Sequence, residues 1–359
     1  MSVVINGTNG VTFNDGTIQA TAPAQKNKII NGNMLIAQRA TSVTGITSSS
    51  GTYSTMDRFQ DIVRTVGTWT QTQDTDVPTG QGFATSLKMD CTTANGSLSA
   101  DSWLRWQTQL EGFNCQPFKF GTANAESITL SFWVKSNKTG TYCIELYQSS
   151  SGRAISKSYT IDSANTYEKK ELTFVGDTVG TINNDNGSGF IVTYWFAAGA
   201  NYQSGTLQTS WGAITTANRA VGQVNLADST SNYINITGLQ LEAGVNATDF
   251  EHLQYGQQFA LCQRYYQYYD QGVNAYYHSG IIGFPFSTCM RAAPTLTLSY
   301  SGAANRVYRL DTGATADLTI AASVMTTSGF NHLYAFTPSG WASAAGVGFR
   351  SNFVFNAEF

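Results

Sequence analysis

The residues best suited to chemistry are scattered in this chain. Its three histidines, His252, His278 and His332, lie far apart, with no HExxH motif and no paired ligand spacing. Each reads as a surface or hydrogen-bonded imidazole. No Gly-x-Ser-x-Gly elbow, Walker loop or dinucleotide loop is present. Carboxylates come closer to a pattern: Asp57 and Asp61 follow Met56, and Asp74 and Asp76 flank Thr75. A glycosidase needs two carboxyl groups facing each other across a cleft, about 5–5.5 Å or about 6.5–9.5 Å apart. Chain spacing does not supply that geometry, and 23 acidic residues in 359 are few. The expectation is that the protein is not an enzyme. The stretch Asn183-Asn-Asp-Asn-Gly-Ser-Gly189 is rich in oxygen ligands. Ca²⁺ wants six to eight oxygens, usually with several carboxylates. Only Asp185 and the nearby Asp177 are on offer, so the stretch reads as a polar loop. The five cysteines, Cys91, Cys115, Cys143, Cys262 and Cys289, are odd in number and form no CxxC. They read as small buried hydrophobes.

What remains is recognition. Aromatic residues make up 13% of the chain, with 18 Tyr and 20 Phe. A flat ring offers a large apolar face for a sugar, while Asn, Gln, Asp and Arg bond its hydroxyls. The glycan-binding candidates are Trp133, Trp195, Trp211, Tyr276, Tyr308 and Trp341. Trp133 and Trp195 qualify because strand parity sets them opposite their inward neighbours, and Trp211 because it lies in a turn-flanked region. Tyr276, Tyr308 and Trp341 belong to a Tyr-rich stretch near the end of the sequence. Each serves equally well as a second-layer core or subunit-interface residue, and since such residues are enriched at recognition surfaces in general, they do not separate a sugar from a protein ligand.

These side chains need elements to hold them. Charged residues are only 12%, about half the usual share. The net charge is −3 and the one basic cluster, Glu168-Lys-Lys-Glu171, cancels itself, which argues against nucleic acid as a partner. No apolar run approaches the about 18 residues of a membrane span. No basic segment followed by an apolar run marks a signal peptide. The chain reads as made in a reducing cytosol and used elsewhere.

Strands dominate. Ser127 to Lys135 alternates, with Ile128, Leu130, Phe132 and Val134 on one face. Thr141 to Tyr147 repeats the pattern with Tyr142, Ile144 and Leu146 inward. The turn residues Asn137 to Gly140 predict that the two pair as a hairpin. Glu171–Val175, Gly189–Phe196 and Tyr233–Leu241 follow, with Gly238 placed to form a bulge. Many short strands separated by turns indicate an antiparallel sandwich or barrel. One helix is expected over 253–272, because Tyr255, Phe259, Cys262, Tyr266 and Tyr269 fall on one stripe. The stripe fits a helix docked on a neighbouring β domain or one at a three-fold axis. Near the N-terminus, Asn14-Asp15-Gly16 between two β-prone runs is a hairpin signal. That segment has too few bulky apolar residues to fold alone.

Several passages resemble known families. Gly10 to Ala22 is similar to a phrase of bacteriophage tail fibres, "GVTFxDGTxQxTA". The order "SFWVK", "IELY", "YEKKELTF" and "YINITGLQLEAG" resembles the jelly-roll carbohydrate-binding modules of glycanases and phage tail proteins, over about Ile29 to Phe250. "ALCQRYYQYY" (260–269) and Phe284 to Thr295 again resemble tail-fibre sequences, the latter with two extra residues before the Met. The resemblance implies a mainly β protein in four parts. These are an extended attachment segment (1–25), a jelly-roll sandwich (26–252), a connecting helix (253–272) and a C-terminal β tip (273–359). It implies a homotrimer with Phe13, Phe259, Cys262, Tyr266 and Tyr269 at subunit contacts. It also implies attachment to a phage baseplate or tail protein through residues 1–25, virion localisation after synthesis in the host cytoplasm, and adsorption to a host-surface glycan. Such modules often carry a structural calcium. A virion structural protein without its own receptor site, or a polysaccharide depolymerase, are the competing readings.

Overall fold

A computed structural model describes residues 25–275, 284–299, 319–336 and 347–359, and strand segments at 4–6, 10–12, 18–19, 306–309 and 315–317. Three short strands come first: β1 (Val4–Asn6), β2 (Gly10–Thr12) and β3 (Ile18–Gln19). β2 pairs antiparallel with β3, Val11 opposite Gln19, as the Asp-Gly signal predicts. The turn itself and Phe13 lie outside the described residues.

Thirteen strands then build two antiparallel sheets. They are β4 (Ser42–Ile46), β5 (Ser49–Thr52), β6 (Gln60–Arg64), β7 (Thr68–Asp74), β8 (Ser86–Thr93), β9 (Trp103–Glu111), β10 (Ile128–Ser136), β11 (Gly140–Gln148), β12 (Arg153–Ile161), β13 (Glu168–Phe174), β14 (Ser188–Ala198), β15 (Gly212–Ala213) and β16 (Tyr233–Ala243). One sheet runs β13-β10-β16-β8-β7-β4 and the other β15-β12-β11-β14-β9-β6-β5. The fold is a mainly β sandwich. Its core holds the predicted inward set Ile128, Leu130, Phe132 and Val134, facing Tyr142, Ile144 and Leu146, all fully buried. Phe132 meets Tyr194 of β14 edge-on at 5.4 Å, and Trp106 of β9 meets Phe196 at 4.8 Å. Such contacts add stability beyond area burial.

The expected hairpin between β10 and β11 is not formed. The two strands belong to different sheets, and Asn137 to Gly140 crosses from one to the other. Both strands are apolar on their inner faces, and packing across the core satisfies both faces as pairing in one sheet would not. Gly238 is the bulge expected of it. Its φ is +66°, and the register slips from Ser131↔Gln240 to Trp133↔Thr237.

The sandwich begins and ends side by side. Lys28 N donates to Leu241 O (2.9 Å), and the backbone amides of Lys26 and Asn27 both donate to Glu251 Oε2 (2.9 Å). After it comes a helix shorter than predicted, Tyr255–Gln263, opened by a capping box of Gln254 and Gln257. Tyr266–Ala275 is instead a strand, β17. The aromatic run Tyr265-Tyr266-Gln267-Tyr268-Tyr269 suits a pleated surface better than a helix, and ten residues of the partner strand capture it. That partner is the last of the remaining strands, β18 (Phe284–Pro285), β19 (Thr295–Ser299), β20 (Arg306–Arg309), β21 (Thr315–Asp317), β22 (Thr319–Met325), β23 (Gly329–Phe336) and β24 (Val347–Asn356). β24 also pairs with β19 and β20, while β18, β23 and β22 form a separate small sheet.

The sandwich and the C-terminal strands meet at a buried charged cluster. Arg58, 1% exposed, pairs with Glu358 and lies 3.4 Å over the Tyr265 ring. Arg39 bridges Asp57 and Glu358 at 3.3 Å each. Arg264 grips Glu111 through two bonds of 2.7 Å, and the Tyr265 hydroxyl donates to the same carboxylate. Arg291 donates to Ala357 O and Glu358 O.

Candidate functional site

The outer face of the six-stranded sheet carries an open cleft of about 350 Å³. Trp133 of β10 and Tyr167, just before β13, are half-buried in its wall, and Lys135 lies two residues beyond Trp133 on the same face. Two loops close over it. The first, after β7, is shaped by an Asx turn in which Asp76 N donates to Asp74 Oδ1 (3.0 Å), and by Pro78. The second turns at Asn165, whose φ of +60° is one that Asn tolerates better than most residues. Asn165 N donates to Ser136 O, and its side chain accepts from the Tyr233 hydroxyl (2.8 Å). The loops are latched together. Lys135 Nζ reaches Asp76 Oδ2 and the Tyr167 hydroxyl donates to Asp76 O, both at 2.5 Å. Burial raises the Tyr167 pKa, so its hydroxyl stays protonated at neutral pH.

An aromatic ridge leads away from Trp133. Phe83, Phe250 and His252 pack ring to ring at 4.9–5.3 Å, and all three reach the surface. Gly238 lets this happen: a Cβ there would come within 2.6 Å of Phe83 and 3.1 Å of Trp133. The arrangement offers an apolar wall with exposed amide and hydroxyl groups of Gln81, Asn165 and Thr166 beside it. It contains no nucleophile with a neighbouring base.

The other candidates fare differently. Trp195 points outward by parity but is fully buried, because the segment after β14 folds over it. Tyr202 of the helical turn Ala200–Gln203 packs on it at 5.6 Å, with Ala198 and Ala220 beside it. It cannot be a platform. Trp211 is half-buried, edge-on to Phe120 at 5.5 Å, with its indole N–H given to Val175 O. It serves as a packing corner. Tyr276, Trp341 and the side chain of Tyr308 lie outside the described residues. Among the expected subunit contacts, Cys262 is fully buried and Tyr266 lies under the Arg39 guanidinium at 3.8 Å, so both are consumed within the chain. Phe259 stacks on exposed Tyr255, and Tyr269 bonds Gln267 and Ser287.

The paired carboxylates do not face each other across a cleft. Asp57 serves Gln38 and Arg39, Asp61 lies inside the sandwich against Gln71, Asp74 faces Lys88, and Asp76 holds Lys135. The calcium-like loop is not convergent either: Asp185 accepts from Gly187 N, while Asp177 is held by Arg153 and Gln148. Phe83, Phe250, Asn165 and Tyr167 were not foreseen. Both loops carry turn-forming residues, Pro78 and Asn165, but nothing in the sequence shows that they meet.

No protein-family model matches the sequence, and no curated protein is significantly similar to it. Solved structures similar to it include the enzymatically active domain of tailspike protein 4 of bacteriophage CBA120. That match has 16% identity and a TM-score of 0.33, and covers 60% of this chain but only 21% of that one. TmCBM61, in complex with β-1,4-galactotriose, matches at 8% identity over 61% of this chain and 99% of its own, with a TM-score of 0.29. The family 11 carbohydrate-binding module of Clostridium thermocellum, in complex with a mixed-linked tetrasaccharide, matches at 11% identity over 58% and 99%, with a TM-score of 0.30.

Proposed function

We propose that the protein is a phage tail fibre component that binds a host-surface glycan through the Trp133 cleft, without cleaving it. The observation that carries the glycan reading is the partly exposed Trp133 ring set between two latched loops that offer the amides and hydroxyls of Gln81, Asn165 and Thr166, with Asp76 paired to Lys135 beside them. A pyranose stacks its apolar face on such a ring while its hydroxyls bond the rim. The tail-fibre part is supported by the N-terminal phrase and by "ALCQRYYQYY". On this reading three copies assemble, and multivalency multiplies a weak single-site affinity.

Trp133→Ala should weaken binding to a responsive oligosaccharide at least about tenfold, the worth of one stacked aromatic, with thermal stability little changed. A glycan array followed by calorimetry reads this. Equal binding by wild type and variant would remove the cleft from consideration. A chain lacking residues 1–24 should stay folded and bind cells, yet fail to enter virions. Loss of folding or of cell binding in that chain would contradict the division between attachment and recognition.

A further inference from the structure

The opposite outer face, on the seven-stranded sheet, carries donors that nothing among the described residues satisfies. Along β9, Trp103, Arg105, Gln107 and Gln109 alternate with the inward Leu104, Trp106, Thr108 and Leu110. Arg105 sits opposite Trp195 of β14 and Ile62 of β6. Its guanidinium is 5.2 Å from the Trp103 ring and 5.3 Å from the Trp195 ring. Arg219 enters from the covering segment to 5.2 Å from the Trp195 ring, but it grips Glu145 through bonds of 2.7 and 2.6 Å. That carboxylate is taken. Among the described residues Arg105 makes no hydrogen bond and no ion pair. Its Nε is sealed from solvent without a partner, and so are the indole nitrogens of Trp103 and Trp195. All three are donors. Burial, and then the neighbouring Arg219 charge, hold the Arg105 pKa down to about 10. The nearby Glu145 carboxylate, already held by Arg219, offsets this only in part, and a largely covered cation without a hydrogen-bonded partner is unfavourable. The side chain is only partly covered, so its terminal nitrogens have a route to the surface.

We propose that Arg105 anchors a second ligand site, which takes the carboxylate of an acidic sugar. A guanidinium offers two parallel N–H donors to a carboxylate. The next outward residues on the strand complete the match. Gln107 and Gln109 both donate to Gln60 Oε1, at 2.6 and 2.9 Å, which leaves their own carbonyl oxygens to accept from sugar hydroxyls. A uronic or sialic acid presents both groups. This site extends the glycan-binding reading, but it shares no residue with the Trp133 cleft.

The test uses the indole N–H resonances of the full chain, which has seven tryptophans. Adding glucuronic acid or N-acetylneuraminic acid at millimolar concentration should shift the Trp103 and Trp195 signals and leave Trp133 and Trp211 in place. Glucose and inorganic phosphate should not shift the first pair. Arg105→Met should weaken the response to the acidic sugars at least about tenfold, while Arg105→Lys keeps part of it. No shift with either acid overturns the proposal. So does an equal shift with phosphate, which would mean an adventitious ion only. If Arg105→Met fails to fold, the wild-type comparison of acid with glucose decides alone. Failure of neutral oligosaccharides to move the Trp133 signal counts against the cleft, and leaves the Arg105 result standing.

Discussion

Replacing Arg58 by Met should lower the unfolding free energy by about 3–5 kcal/mol, the usual cost of removing one partner of a buried ion pair. The guanidinium is fully enclosed. It pairs with Glu358, donates to Gln109 O (2.5 Å) and lies 3.4 Å over the Tyr265 ring and 5.4 Å from the Phe359 ring. Without it the Glu358 carboxylate, itself only 3% exposed, keeps Arg39, at 3.3 Å, as its ion-pair partner among the described residues. The double variant Arg58→Met, Glu358→Gln should recover part of the loss, with a coupling energy of at least about 1 kcal/mol. Urea unfolding of the four chains in the cycle measures it. A single-variant loss below about 1 kcal/mol would mean that sandwich and tip are held together by other contacts.

Asp61→Asn should remove a pH dependence that the native protein carries. Asp61 points into the sandwich beside Trp106 and accepts from Gln71, whose carbonyl in turn takes the Thr55 amide and hydroxyl. Burial raises its pKa to about 7 from the ordinary 3.8, against the lowering effect of its hydrogen bonds. A carboxyl that holds its proton more tightly when folded stabilises the native state fully below about pH 4. That contribution shrinks as pH rises, and is gone above about pH 7. A shift of about three units corresponds to about 4 kcal/mol. Asp57, raised to about 6 by burial, acts in the same direction, while Asp177 and Glu168, whose pKa values are lowered, act in the opposite one. The informative quantity is therefore the difference between variant and wild type. The Asn variant should gain relative stability steadily from pH 4 to pH 7. A constant difference across that range would show that Asp61 is ionised in the folded protein.

Much of the sandwich was legible because its strands obey a period of two. Ile128 to Val134 and Tyr142 to Leu146 named their inward faces, and Gly238 named its bulge. What period two cannot state is which sheet a strand joins, so Asn137 to Gly140 looked like a hairpin and is a crossing. The helix failed for a related reason. Aromatic residues at 255, 259, 266 and 269 fit a helical stripe, yet the second half of the run is equally good strand sequence, and only the distant β24 decides between them. The site was half readable. Parity set Trp133 outward, and it stands at the cleft. Parity set Trp195 outward too, but the roof from Gly199 to Val224 has no periodicity to announce it. Arg105 had no signal, since an Arg among alternating polar positions reads as an ordinary solvated side chain.

The first and last residues of the sandwich lie side by side, with Lys28 bonded to Leu241 and the amides of Lys26 and Asn27 on Glu251. Because its ends meet, exchanging this sandwich for another should leave unchanged the distance that the rest of the chain must span, as in a cassette. Arg39, Arg58 and Glu111 are the cassette's plug, because they fit the socket formed by Arg264, Tyr265 and Glu358. An exchanged sandwich that carries those three residues should seat on this tip, and its outer faces would then be free to diverge with the ligand.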